Sequence, residues 1–181
     1  LMQNLKPLLA NVDFRRLWTA QIVSDLGDSL TIWGLMFLVM ELTGSEASVA
    51  GVLIAGALPR LLVSMPAGVW VDRLNRKAVM VVSDLLRAGL VLLLLFAQSP
   101  GWLWLMYGVI LVHSAVGTFF NPAKMALVPE IVGRDQLMAA NSVGESSRVI
   151  FGLLGTTAAG LIVGLSGSSE AIFTIDALTV V

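Results

Sequence analysis

Two carboxylates one helical turn apart interrupt an apolar stretch near the start of the chain. Asp25 and Asp28 follow Gln21 and Ser24, and at 100° per residue these side chains share one face of a helix with Thr31. Carboxylates this close repel each other when both are charged, so one proton bound between them relieves the repulsion. The pattern predicts a wet polar face on which Asp28, or Asp25, exchanges a proton.

Further ionisable side chains interrupt other apolar stretches at a similar depth. Arg60, Arg87 and His113, like Asp28, each lie 11 or 12 residues from a charged residue at the end of their run. That spacing corresponds to about 16–18 Å along a helix. Charged groups in the middle of apolar helices are costly and mark substrate or proton pathways. The sequence therefore predicts one site built from several helices.

Structural roles for these residues stay open. Asp28 could form an ion pair with Arg60, and for Asp25 a structural role is favoured. A lone His113 is more often a hydrogen-bonding residue than a proton relay. Two further acid–base pairs have i, i+3 spacing, which favours structural ion pairs within one helix. These pairs are Asp84 with Arg87 and Glu145 with Arg148.

Composition excludes several classes of site. The 181 residues are 57% hydrophobic and 13% charged, with a net charge of -1. Cysteine is absent and there is one histidine, which excludes disulfides and metal sites built from Cys or several His. No G-x-x-x-x-G-K-[ST] phosphate-binding motif and no basic patch occurs, so neither ATP hydrolysis nor a nucleic-acid partner is expected. We expect no cofactor and no metal.

The apolar runs are long enough to cross a lipid bilayer, which takes about 20 residues per helix. A cytoplasmic N-terminus over 1–16 is expected to precede a transmembrane bundle over 17–181. The predicted helices are 17–41, 48–71, 78–97, 102–121, 137–165 and an incomplete sixth over 171–181. Period-2 alternation is nowhere sustained, so a β-barrel is not predicted. The fold class is an all-α membrane protein.

The loops predict the orientation. The segments 42–47, 98–101 and 166–170 contain no Lys or Arg, whereas the N-terminus and the segments 72–77 and 122–136 are basic. Because basic residues concentrate on the cytoplasmic side, the N-terminus and these two segments are predicted to be inside.

One basic segment has an ordered spacing. The stretch "GVWVDRLNRK" reads Gly68-x-x-x-Asp72-Arg73-x-Asn75-Arg76-Lys77. It resembles the signature of the major facilitator superfamily, G-x-x-x-D-R-x-G-R-R/K, and lies between helices two and three as in that family. Asn75 replaces the second glycine, and we expect it to adopt the left-handed turn, since Asn tolerates positive φ. The resemblance implies that this hairpin controls gating; a simple positive-inside turn is the alternative.

The same resemblance covers nearly the whole chain. The stretches "NVDFRRLWTAQIVSDLGDSL", "FNPAKMALVPEIVGRDQLMAANSV" and "AIFTIDALTVV" resemble the proton-coupled drug, macrolide and siderophore exporters of the superfamily. The resemblance implies a six-helix N-terminal bundle with 3+3 inverted repeats, truncated in its sixth helix, from a twelve-helix fold. It also implies location in the bacterial inner membrane.

The expected function is export of amphipathic small molecules by proton antiport and alternating access. Its partners would be the substrate, protons, the lipid bilayer and the missing C-terminal half. A siderophore or lysophospholipid transporter of the same fold is an alternative. Two other classes stay open: a non-transporting membrane scaffold, and an intramembrane serine hydrolase using Ser166 of "GLSG" with His113 as base.

Overall fold

The structure, a computed structural model, describes residues 2–71, 73–97, 99–166, 169, 171–173 and 175. Within these residues there is no strand, and the elements are six α-helices and one short 3₁₀ turn at Pro100–Trp102. The helices are α1 (Met2–Ala10), α2 (Val12–Thr43), α3 (Glu46–Val71), α4 (Arg76–Leu94), α5 (Leu103–Ile131) and α6 (Leu137–Ser166). Residues 171–173, at the start of the predicted sixth transmembrane helix, are also helical.

Four helical segments are long and apolar enough to cross a membrane. They are Val12–Thr43, Glu46–Ser64, Pro100–Ile131 and Leu137–Ser166. The nineteen-residue α4 carries four charged side chains, which lowers its apolar content. Many large apolar side chains on the outer faces are exposed, among them Leu61 at 77% and Leu165 at 88%, as lipid-facing residues would be. The chain is a multi-pass membrane protein.

Specific side chains fix where α2 and α4 begin. Asn11 caps α2, its Oδ1 accepting the N–H groups of Asp13 and Phe14, while its Nδ2 donates to the Ile131 carbonyl of α5. Asn75 caps α4 by accepting the N–H of Ala78. Its φ of -68° and ψ of 110° are extended, so the expectation of a left-handed Asn75 was wrong. The asparagine acts through its side-chain oxygen instead.

Helix ends differ from the sequence prediction in two places. Helix α2 starts at Val12 rather than 17, and α5 runs on to Ile131 rather than ending at 121. Most of the segment predicted as the loop 122–136 is therefore helical. The α5 helix contains Pro122 and Pro129, which bundled helices accommodate because neighbouring groups satisfy the freed carbonyls. At the opposite end of α2, Gly44 adopts φ 59° and closes the helix by donating to the Met40 carbonyl.

Helix α2 packs mainly on α6, and α3 and α4 both pack on α5. Small residues permit the closest approaches. A Cβ on Gly155 of α6 would lie 2.7 Å from the Ser29 Cβ of α2, and one on Gly51 of α3 would lie 3.0 Å from the Tyr107 ring. Tyr107 also donates its hydroxyl to the Ser48 carbonyl, at 2.9 Å. These seams leave a polar space between α2, α3, α4 and α5.

Candidate functional site in a polar cavity

A cavity of about 580 Å³ opens between the helices. All five long helices contribute side chains to its wall. Its polar and charged lining residues are Gln21, Ser24, Asp25, Asp28, Ser29, Arg60, Ser64, Arg87, His113, Ser114, Thr118, Asn121 and Arg148. Apolar surface comes from Ile32, Phe120 and Met125, among others. Such a mixed lining suits a small molecule with polar and apolar parts.

Arg87 of α4 is the centre of the polar network. Its Nη1 lies 2.6 Å from both carboxylate oxygens of Asp28 on α2. Its Nη2 donates to the Ser24 hydroxyl at 2.9 Å and to Asp84, one turn earlier on α4. The Arg87 side chain is only 7% exposed, and its Cζ lies 5.3 Å from the centre of the Phe120 ring. One guanidinium therefore joins two helices through two carboxylates.

His113 borders the same network from α5. Its Nε2 lies 3.7 Å from Asp28 Oδ1, and its side chain is 6% exposed. This distance is longer than a good hydrogen bond, so the imidazole stands beside the Asp28–Arg87 pair rather than within it. We call Asp28, Asp84, Arg87, Ser24 and His113 together the Arg87 cluster.

Asp25 lies one turn before Asp28 and is held differently. Its Oδ1 accepts from Gln21 Nε2 at 3.4 Å, while its buried Oδ2 has no hydrogen-bond partner among the described residues. Gln21 is 5% exposed. The predicted polar face of α2 thus contains Asp28, whose two oxygens meet the Nη1 of Arg87, and Asp25, which has no ion pair among the described residues.

Arg60 lies in the cavity but does not pair with Asp28. It lines the cavity from α3, but Asp28 is paired with Arg87 and not with Arg60. No carboxylate of the described residues lies within 4 Å of the Arg60 guanidinium. The alternative of an Asp28–Arg60 ion pair is therefore replaced by an Asp28–Arg87 pair.

The remaining predicted residues lie outside the Arg87 cluster, although Arg148 also lines the cavity. Glu145 and Arg148 form an ion pair within α6 at 2.9 Å, with both side chains more than half exposed. In the hairpin, Arg76 pairs with Glu130 of α5 and donates to the Ala126 carbonyl.

Other hairpin residues make no such link among the described residues. Arg73 and Lys77 are exposed. Gly68 lies within α3, and Asp72 lies outside the described residues.

Sequence reasoning missed several uncharged residues of the site, among them one aromatic and one hydroxyl side chain on α5. Phe120 and Ser114 carry no charge, so the search for ionisable groups passed over them. Their positions in the sequence could have indicated them. Ser114 follows His113 directly, and Phe120 lies seven residues after His113, on the same side of α5. A helical wheel drawn from His113 would have found Phe120.

Comparison with known proteins gives the family. Residues 2–181 match the family model of transmembrane secretion effectors within the major facilitator superfamily (MFS). The multidrug efflux pump Tap of Mycolicibacterium fortuitum is 35% identical over 161 residues, which cover 82% of this chain and 38% of that protein. Macrolide efflux protein A of Streptococcus pyogenes is 28% identical over 170 residues, covering 91% of this chain and 41% of that protein.

A further relative is the uncharacterized MFS-type transporter YvqJ of Bacillus subtilis, 33% identical over 152 residues, or 82% of this chain and 36% of that protein. The chain spans about two fifths of the length of these curated relatives. The superfamily consists of transporters of small molecules, not of enzymes, so a serine hydrolase is no longer supported. Since the family model covers nearly every residue, the chain belongs to the major facilitator superfamily, among its transmembrane secretion effectors.

Proposed function

We propose that the chain is part of a secondary active exporter of amphipathic small molecules, driven by proton antiport. The observation that carries this proposal is the interhelical Asp28–Arg87 ion pair inside the cavity. It joins α2 to α4 at the place where a substrate would bind. Protonation of the carboxylate can break this ion pair, which lies in the wall of the cavity where the transported molecule would bind. Breaking the pair would thereby couple proton binding to a conformational change.

The charges of the cluster favour uptake of one proton. Asp28 and Asp84 share the single cation Arg87, so the three groups together carry one excess negative charge. When Asp28 binds a proton, its carboxylate becomes a neutral carboxylic acid and loses most of its attraction for the guanidinium. Arg87 stays neutralised by Asp84 on its own helix. The α2–α4 ion pair is released without leaving an unpaired charge, and only the neutral contact of Arg87 with the Ser24 hydroxyl still joins the two helices within the cluster.

His113 and Asp25 are placed to pass the proton. His113 Nε2 lies 3.7 Å from Asp28, and Asp25 precedes Asp28 by one turn with one oxygen unpartnered among the described groups. We assign them as relay candidates, and Asp28 as the coupling residue. Gln21 orients Asp25 through its amide.

The printed activities of two relatives support the substrate class. One is a multidrug efflux pump and the other a macrolide efflux protein. The cavity combines polar groups with the apolar surface of Ile32, Phe120 and Met125, which fits amphipathic molecules. We extend these activities to this chain as export with alternating access.

Helix packing supports two inverted repeats. Inverted repeats would relate α2, α3 and α4 by a twofold axis to α5, α6 and the sixth transmembrane helix, in that order. Such an axis maps the α2–α6 contact onto a contact between α5 and α3, and both contacts are extensive. It also turns the α4–α5 contact into one between the sixth helix and α2. Gly34 of α2 indeed lies against Ile172 and Phe173. We propose the 3+3 arrangement, with a second half of the transporter completing the cavity.

The hairpin between α3 and α4 is proposed as the gate on the cytoplasmic side of the inner membrane. The positive-inside rule supports that orientation, with the N-terminus inside. Arg76 links α4 to Glu130 and Ala126 of α5, so it ties together helices of the two proposed repeats. Gly68, Asp72, Arg73 and Lys77 would act in the same gate.

The proposal is tested by Asp28→Asn in the full-length protein. Everted membrane vesicles are supplied with a radiolabelled macrolide and an amphipathic dye, with and without an imposed pH gradient. The variant should lose accumulation driven by the gradient but keep exchange of substrate between equal concentrations, since exchange needs no proton. Asp28→Glu should retain part of the coupled transport.

The matched control is Asp13→Asn, an exposed carboxylate in the first turn of the same helix, which should transport normally. If Asp28→Asn still concentrates substrate with the normal pH dependence, Asp28 is structural and Asp25 becomes the next candidate.

A further inference from the structure

Arg60 is a cavity cation whose counter-charge is not among the described residues. It lies on α3 and lines the cavity, yet no described carboxylate is within 4 Å of it. The other two guanidinium groups of the cavity wall have partners: Arg87 has Asp28 and Asp84, and Arg148 has Glu145. A charged side chain near the middle of a transmembrane helix is costly when nothing compensates its charge. Some anionic group is therefore expected to meet Arg60.

A second unsatisfied polar group lies on the adjacent helix. Ser114 of α5 is 4% exposed, lines the cavity, and its hydroxyl has no hydrogen-bond partner among the described residues. A Cβ on Gly56 would lie 3.6 Å from this hydroxyl. Gly56 and Arg60 are one turn apart on α3, as are Arg60 and Ser64, another lining residue. One seam between α3 and α5 thus contains Arg60, Ser64 and Ser114.

The three side chains of this seam supply hydrogen-bond donors. A guanidinium offers five N–H groups in a planar fork, and each serine adds one O–H. Donors concentrated in this way fit an acceptor with negative charge, and a carboxylate matches the guanidinium fork with two parallel bonds.

We infer that Arg60, Ser64 and Ser114 form a substrate subsite that binds a carboxylate. The inference rests on the proposed exporter function, because it treats the cavity as the binding site. Within that substrate class it predicts a preference for amphipathic acids or zwitterions over their neutral counterparts. A lipid head group is a poorer fit, because Arg60 lies about 18 Å along the helix from the cytoplasmic hairpin, near the middle of the bilayer.

The test compares two probes that differ in a single group. Dansyl-leucine carries a carboxylate and dansyl-leucinamide carries a neutral amide at the same position. Their equilibrium binding to the purified full-length protein in lipid nanodiscs is measured by dansyl fluorescence. We expect the acid to bind about tenfold more tightly than the amide, the effect of one good charge-assisted hydrogen-bonded contact.

Variants test whether the preference for the acid over the amide depends on the residues between α3 and α5. Arg60→Gln should bring the ratio of the two affinities close to one, and Arg60→Lys should leave an intermediate ratio because a lysine keeps the charge without the fork. Ser114→Ala should weaken binding of the acid more than of the amide. Arg16→Gln, an exposed arginine of α2 outside the cavity, should keep the wild-type ratio.

Several results would overturn the subsite. They are no saturable binding of the acid, a wild-type ratio of one or less, or a ratio unchanged in Arg60→Gln. If Arg60→Gln does not fold, as judged by its gel-filtration profile, the ratios of acid to amide affinity in the wild type and in Arg60→Lys decide whether the subsite exists. Because equilibrium binding needs no pH gradient, a failure of proton coupling would leave this test unaffected.

Discussion

The Arg87 cluster and the Glu145–Arg148 pair use the same ion-pair chemistry in different surroundings. In both, a carboxylate and an arginine are three residues apart on one helix. The Arg87 side chain is 7% exposed and reaches a second carboxylate on another helix, whereas the Arg148 side chain is 54% exposed and, among the described residues, forms an ion pair only within its turn. Burial and the contact with a second helix thus distinguish the proposed coupling element from a local contact.

The comparison has an energetic side. A buried charge has lost its water, so removing its partner leaves a group that nothing else stabilises, whereas an exposed pair exchanges its partner for water at little cost. The Arg76–Glu130 pair is intermediate, since it joins two helices but its side chains are 32% and 57% exposed. We therefore expect substitutions in these three ion pairs to have a large, an intermediate and a small effect on stability or transport.

The largest effect is expected for Arg87→Gln. It leaves Asp28 and Asp84 without their shared cation, and because these carboxylates are 37% and 32% exposed, water offsets part of the loss, which should be about 1–3 kcal/mol. The thermal unfolding midpoint of the purified full-length protein, followed by tryptophan fluorescence, should drop clearly. Adding Asp28→Asn to the variant should restore part of the loss, because one unpaired charge is removed.

The matched control for that measurement is Arg148→Gln, whose midpoint should stay near wild type. Equal losses in Arg87→Gln and Arg148→Gln would mean that burial does not distinguish the two pairs. No recovery in the double variant would remove the role of the Asp28 charge.

An intermediate effect is expected for Arg76→Gln in the hairpin that we propose as the gate. The substitution breaks the link from α4 to Glu130 and to the Ala126 carbonyl, so the arrangement that this link stabilises is favoured less. Turnover in proteoliposomes should fall several-fold while the substrate Kd in detergent changes little. Lys77→Gln, which removes an exposed neighbouring charge, is the control. A large loss of affinity with normal turnover would contradict a gating role.

The sequence indicates which ionisable residues come together better than it indicates which of them pair. Counting residues from the basic ends assigned Asp28, Arg60, Arg87 and His113 to one level, and all four line one cavity. Their pairing depends on how each helix is rotated about its axis, which packing decides. Asp28 and Arg87 are 59 residues apart, and nothing in their local sequence favours Arg87 over Arg60 as the partner.

Helix ends were less predictable for a related reason. Polar residues and Pro122 suggest that helix four ends near residue 121, yet α5 continues to Ile131 because Ala123 and Val128 remain buried against neighbouring helices. Asn75 shows the same limit at a single residue. Asparagine is favoured both in a left-handed turn, where it tolerates positive φ, and at an N-cap, where its side-chain oxygen accepts a backbone N–H. Only the backbone angles of Asn75 decide between the two conformations.

The smallest effect is expected for Glu145→Gln on α6. The carboxylate is 61% exposed, and its only described ion pair is with Arg148 one turn later, so the pair should contribute about 0.3–0.5 kcal/mol. Glutamine keeps the length and the helix propensity of the side chain, so the unfolding midpoint and the pH-driven transport rate should both stay close to wild type. Both quantities are measured beside Asp28→Asn in the same vesicle preparation. A Glu145→Gln loss of coupling as large as that of Asp28→Asn would show that an exposed carboxylate takes part in proton transfer, and the contrast between the buried and the exposed pairs would then not hold.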